Sequence, residues 1–109
     1  MKTSSAKGKG RRLQQWVRDI ILEKFSGLEP DDVRSTSMGA GGEDVQLSPA
    51  ARKHFPFSVE CKNVEKLNVW AAYEQAEANS GDHEPILIMK KNRKKPLIVI
   101  DAEAFFKLL

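Results

Sequence analysis

Cysteine is almost absent from this 109-residue chain. Cys61 is the only one, so an internal disulfide is impossible and a zinc site built from several thiolates is excluded. Long apolar runs are missing too. None approaches the roughly 18 residues that span a bilayer, and MKTSSAKGKGRR is not followed by a secretory apolar stretch with a cleavage site. The expectation is a cytoplasmic protein with no membrane partner. Aromatics make up 7% of the chain, and Gly39-Ala40-Gly41-Gly42 lacks the Gly-Lys-Ser/Thr ending of a nucleotide P-loop. His54 and His83 lie in connections, away from any triad pattern, and read as surface residues.

Charge is what the chain does have, in an uneven distribution. The net charge is only +3, yet Lys2, Lys7, Lys9, Arg11 and Arg12 precede the first acid, and Lys90, Lys91, Arg93, Lys94 and Lys95 form a second cluster. Two basic segments on an otherwise acidic molecule suit a polyanion, and the alternative for each is a solvated tail or turn. Hydrophobic residues at 40% and charged residues at 30% describe one globular domain.

Residues 1–10 read as a flexible basic arm and 11–109 as a single domain. Leu13, Trp16, Val17, Ile20, Ile21, Phe25 and Leu28 recur at helical spacing. A strand is expected over 32–37 and a second over 43–47, where Val45 and Leu47 face one way and Asp44 and Gln46 the other. A helical turn follows Pro49. Phe57-Ser58-Val59-Glu60-Cys61-Lys62 alternates, with Glu60 and Lys62 opposite the apolar face. Leu67, Trp70, Ala71 and Ala78 suggest the packed stripe of another helix, with Gln75 on its packed side and Ser80-Gly81 at its end. Trp16 and Trp70 read as core residues. The runs 85–89 and 96–100 look like strands covered on both faces, and Asp101 can cap a last helix. The predicted fold is α/β, a mixed sheet of about five strands flanked by helices.

Glu-x-Lys alone means little, since fifteen acids and twelve lysines give roughly 1.7 acid-x-Lys matches by chance. Strand phase gives it weight, because Asp44 and Glu60 both point away from the apolar sides of their strands. Two converging carboxylates are hard oxygen donors suited to Mg²⁺ or Mn²⁺, and Lys62 shares Glu60's face.

Asp44 followed by Glu60-Cys61-Lys62 after a hairpin-sized gap resembles the D…(D/E)xK signature of the PD-(D/E)XK nuclease superfamily, and the order helix, three strands, helix, strand matches its common core. Within it the chain is most similar to small Holliday-junction resolvase-like endonucleases, including phage-encoded ones. The resemblance implies a restriction-endonuclease-like fold and Mg²⁺-dependent hydrolysis of DNA phosphodiesters, with branched DNA as substrate and a homodimer. It assigns metal binding to Asp44, Glu60 and the Cys61 carbonyl, and assistance of the attacking water to Lys62. Where many resolvase-like enzymes carry a helix-one glutamate, Gln14 is the better-placed candidate ligand, and Glu43 replaces the signature proline. Gln75 either contacts metal-bound water or DNA or is a structural amide. Ser37, like Ser35, either lies near the metal or scissile phosphate or belongs to a solvated edge. Lys7, Lys9, Arg11, Arg12 and residues 90–95 are candidate phosphate contacts. The rival reading is a non-catalytic or partner-dependent nucleic-acid-binding module that retains the fold.

Overall fold

The structure, a computed structural model, describes residues 3–36 and 42–109, with side chains described from residue 6 apart from that gap. Ser37 and most of the glycine-rich loop lie outside the described residues. Ten elements follow in order: α1 (Thr3–Lys24), a 3-10 turn (Pro30–Asp32), β1 (Val33–Ser35), β2 (Val45–Leu47), α2 (Pro49–His54), β3 (Phe57–Asn63), α3 (Val69–Ala78), β4 (Glu84–Lys90), β5 (Leu97–Ile100) and α4 (Ala102–Lys107). The strands form one mixed sheet in the order β1-β2-β3-β4-β5, with β3 and β4 parallel and every other pair antiparallel. The sequence-based fold class is thus correct.

The parallel step follows from the chain between β3 and β4, since a crossover is needed and α3 supplies it. Register then assigns the two faces. Val33, Val45, Val59, Cys61, Ile86 and Ile88 share one face and pack with Leu13, Val17 and Ile21 of α1. Ser58, Glu60, Lys62, Leu87 and Met89 share the other, on the side where α3 packs against β3 and β4. Leu87 is fully buried there.

Caps are local and readable. Ser48 accepts from the Ala51 amide at 3.0 Å at the start of α2, Asn68 from Ala71 at 3.1 Å in α3, and Asp101 from Ala104 at 2.9 Å in α4. Asp32 ties the 3-10 turn to α2 by accepting from the Ser48 hydroxyl at 2.6 Å, and this bond holds its carboxyl below the ordinary range.

Four expectations need correction. The helix starts at Thr3, so residues 3–10 are helical rather than a flexible arm. The Lys9 carbonyl accepts from Asn63 Nδ2 at 3.1 Å and the Lys9 ammonium lies 3.6 Å from Glu65, so tertiary contacts hold a helix start that no acidic residue announces. In α3 the packed residues are Ala72 and Ala76, not Trp70, Ala71 and Ala78. Two alanines suffice because a helix lined with small side chains can approach the sheet closely, which leaves Trp70 80% exposed. Trp16 is also exposed, at 45%. Finally, β5 is an edge strand whose Leu97 and Ile98 are exposed, so its apolar run is not covered on both faces.

The turn between β4 and β5 places Arg93 at φ 65°, the one non-glycine residue in the left-handed region among those described. That conformation costs an L-residue about 1–2 kcal/mol. Arg93→Gly should therefore raise stability by up to about 1 kcal/mol, after the added freedom of glycine in the unfolded chain is offset. The urea unfolding midpoint checks this, and an unchanged or lower midpoint would show that the turn carries no strain.

Candidate metal centre and active site

The sheet opens where β2 meets β3. Only Val45 and Val59 pair across that boundary. Just before β2, the Asp44 amide donates to the Val59 carbonyl at 2.8 Å, and the Asp44 Oδ2 then accepts from the Cys61 amide at 2.7 Å. A carboxylate occupies the place where the next strand-to-strand bond would fall. The N–H and C=O of a β-residue leave the strand in the same direction, so the Cys61 carbonyl points into the same opening. The backbone around Asp44 is fixed from the other side by Thr36, whose amide and hydroxyl both donate to the Asp44 carbonyl, at 3.0 and 3.1 Å.

Glu60 stands beside Asp44 on β3, only 4% exposed. Its Oε1 accepts from Asn79 Nδ2 at 3.3 Å, and its Oε2 lies 3.7 Å from the Lys62 ammonium. Burial raises the Asp44 carboxyl above its ordinary value against the pull of the Cys61 amide and Lys62. Burial also raises Glu60, and the charge of Asp44 raises it further. A buried and a half-buried carboxylate close enough to interact, with one lysine nearby, form a site short of positive charge. The donors fit a divalent cation of the Mg²⁺ or Mn²⁺ type, which takes one or two carboxylates and keeps several waters. Asp44, Glu60 and the Cys61 carbonyl are the groups that would hold it. Among the described residues no third carboxylate, histidine or cysteine completes a larger cluster. The Cys61 side chain is buried and its thiol is raised well above the usual range by burial, so it is no ligand as a thiolate.

Sequence reasoning missed Asn79. It is the C-cap of α3, where a polar residue usually reads as a helix stop, and its contact with Glu60 spans 19 positions. Gln75, expected on the packed side, is exposed one turn earlier on the same side of the helix, because Ala72 and Ala76 set the packed face. Gln14 is buried, but on the α1 side of the sheet, where its Oε1 accepts from the Ser35 hydroxyl at 2.8 Å. Glu60 approaches from the opposite side. Glu43, at the position of the signature proline, makes a close ion pair with Arg52, which also donates to the Phe57 carbonyl at 3.1 Å. This pair ties the residue before Asp44 to the start of β3.

The basic candidates divide. Lys7, Arg11 and Arg12 are exposed on α1, as are Lys91, Arg93, Lys94 and Lys95 in the turn after β4, with Lys90 partly exposed. Lys9 is the exception, being 8% exposed and paired with Glu65. Its role is structural: Glu65 also accepts from the Asn92 amide at 2.7 Å, so one carboxylate ties the α1 terminus to the second basic cluster. Met89 is the register partner of Lys62, which puts that cluster at the same end of the sheet as the catalytic candidates. His54, exposed, stacks on Phe25 with ring centroids 5.0 Å apart, and His83 is exposed. No described helix is long and apolar enough to cross a membrane.

Residues 5–109 match a protein family described as "Phage putative PDDEXK endonuclease". No curated protein and no solved structure gives a significant match to the chain.

The electrostatics give a signed pH dependence. Folded-state values raised above the ordinary 3.8 for Asp44 and 4.5 for Glu60 mean that folding is favoured while these groups are protonated. That contribution is complete below the ordinary values and is lost as pH rises through the raised ones. In metal-free protein at pH 7, Glu60→Gln should therefore unfold several °C above the wild type, with the gap narrowing as pH falls toward about 4. Thermal scans in a chelator across that range test it. A variant less stable than wild type at pH 7 would contradict the assignment of repulsion and burial as the dominant effects.

Proposed function

Because the chain belongs to that phage PDDEXK endonuclease family, we propose that it is a Mg²⁺- or Mn²⁺-dependent DNA endonuclease of the cytoplasm, resolvase-like, acting on branched DNA as a homodimer. The observation that supports this reading is the Asp44 carboxylate bonded to the Cys61 amide, with buried Glu60 near enough to feel its charge. A divalent ion bound there supplies Lewis acidity for water activation and offsets phosphate charge. The chain's own residues do the rest. Asp44 and Glu60 hold their oxygens in fixed positions, one through the Cys61 amide and the other through Asn79. Lys62, 31% exposed along its side chain, reaches solvent from the site and is placed to orient the attacking water and to counter charge developing on the phosphate. Gln75 faces solvent beside the Asn79 turn and is available to the nucleic acid backbone. Ser37 remains a candidate substrate contact. Gln14 contributes by fixing β1 through Ser35, a more economical role for a buried amide than metal ligation.

Lysines and arginines at the exposed turn and on α1 give affinity by phosphate contact, without base readout. No recognition helix or base-reading module is seen among the described elements, which favours recognition of DNA shape. The dimer reading is supported by Phe106, Leu108 and Leu109 at and beyond the end of α4, exposed by 69%, 57% and 88%, an apolar cluster that a second copy can cover.

Asp44→Asn, Glu60→Gln and Lys62→Ala should each reduce cleavage by at least about 100-fold while DNA affinity stays within about tenfold. Removing charges among 90–95 should instead weaken binding and flatten its salt dependence. Cleavage assays with Mg²⁺ on a four-way junction, a nicked duplex and a linear duplex check both claims. Full turnover by Glu60→Gln would overturn the site, and equal cutting of all three substrates would remove the branch selectivity. Wild-type binding with no cleavage in Mg²⁺ or Mn²⁺ would favour a non-catalytic binding module.

A further inference from the structure

We infer that the groove next to Lys62, on the same face of the sheet, is a subsite for an unpaired nucleotide of the nucleic acid, an inference that rests on the endonuclease reading and specifies its substrate. The groove holds about 490 Å³, within the roughly 300–1,000 Å³ of sites that take small organic groups. Its floor is apolar: Val64, Leu67, Val69, Met89 and Leu97 come from the end of β3, the approach to α3, and the facing ends of β4 and β5. Its rim is basic, with Lys90, Lys91, Lys94 and Lys95. The one acid in the lining, Glu65, is already engaged by the Lys9 ammonium and the Asn92 amide.

Position decides the occupant. Lys62 pairs with Met89, and Met89 with Leu97, so these three side chains stand in a row across one sheet face. The row runs from the catalytic candidate directly onto the groove floor. From Glu60 to Val64 is four residues of extended chain, roughly 13 Å, or about four nucleotide steps of a B-form strand. A strand with its scissile phosphate at Glu60 therefore passes the groove within a few nucleotides.

The chemistry matches an unpaired base and excludes a paired one. An apolar floor favours the π-face of a nucleobase, while lysines on the rim take the flanking phosphates. A base inside a duplex keeps its faces stacked and shows only its edges, so it cannot fill such a groove without flipping, at a cost of a few kcal/mol. Nucleotides already unpaired at a branch point, flap or gap avoid that cost. Shape selectivity would then arise beside the cutting site itself. Leu97, 56% exposed on an edge strand, is an unfavourable place for a large side chain unless something covers it.

The test is a binding experiment with the full chain in a chelator, so that it does not depend on cleavage. The probes are a plain duplex and the same duplex carrying a 5′ flap with 2-aminopurine among its unpaired nucleotides. Wild type should bind the flap at least about tenfold more tightly than the duplex and change the 2-aminopurine emission. Val64→Ser/Leu97→Ser should lose about tenfold in flap affinity, change duplex affinity by less than about threefold, and leave the emission at its free value. Both positions are partly exposed, and the single variant Leu97→Ser serves if the pair unfolds. Equal affinity of wild type for flap and duplex overturns the subsite. So does a folded groove variant that binds the flap like wild type. Failure of the nuclease reading shows separately, as absent cleavage in Mg²⁺ with these affinities intact.

Discussion

The bond from the Cys61 amide to the Asp44 carboxylate is the constraint on which the rest of the site depends. A backbone amide at the centre of a sheet must be paired, and a neighbouring strand normally does this. Here a side chain does it, so β2 and β3 diverge after one residue pair without leaving the Cys61 donor unsatisfied. The divergence opens the sheet, and the same carboxylate marks the opening. One residue thus ties the geometry of the strand to the position of an acid.

That arrangement is held under electrostatic tension. Glu60 is placed in the α3-covered face, where an aliphatic residue such as its neighbour Leu87 would pack without penalty. Asn79 and Lys62 relieve part of the cost at Glu60, yet burial keeps both carboxyls above their ordinary values, and the charge of Asp44 adds to the rise at Glu60. Carboxyls that burial disfavours in the free protein are the kind of donors a divalent cation would relieve, and free energy withheld from folding would then be available to binding. Asn79 shows how the fold supports this. By ending α3 at that position it turns a helix cap toward Glu60, and the crossover helix required by parallel β3 and β4 becomes a prop for the acid.

How much of this could be read from the sequence depended on whether the signal was local. The alternation through Phe57–Lys62 placed Glu60 and Lys62 on one face because strand phase is set by the pleat, and Asp44 followed from the same rule. The cap at Asp101 was legible for a similar reason, being satisfied within three residues. Helix phase in α3 was not legible. Its large side chain, Trp70, dominates any hydrophobic pattern, while the packed face is made by Ala72 and Ala76, which register weakly on the same scale. The start of α1 failed differently: its support comes from Asn63 and Glu65, more than fifty positions away. Asn79 and Glu65 are ordinary polar residues until the fold brings them to their partners. Edge position is likewise a property of the whole sheet, so the apolar run of β5 could not reveal its exposure.

Glu65 also joins two basic segments nearly eighty positions apart. An acid among lysines ordinarily weakens a site for a polyanion. This one pairs with the Lys9 ammonium on α1 and accepts from the Asn92 amide in the β4–β5 turn, and so joins the two elements at one edge. Lys9 is consumed in the process, while Lys7, Arg11, Arg12 and the lysines of the turn stay exposed. Flexible lysines bind phosphate at an entropic cost, and fixing the backbone beneath them lowers it. Because the turn continues from Lys62's partner strand, this edge is registered to the acids at Asp44 and Glu60. The exposed basic cluster and the carboxylates at Asp44 and Glu60 therefore belong to one sheet end, so that a chain of only +3 gathers much of its exposed positive charge at a defined place in the fold.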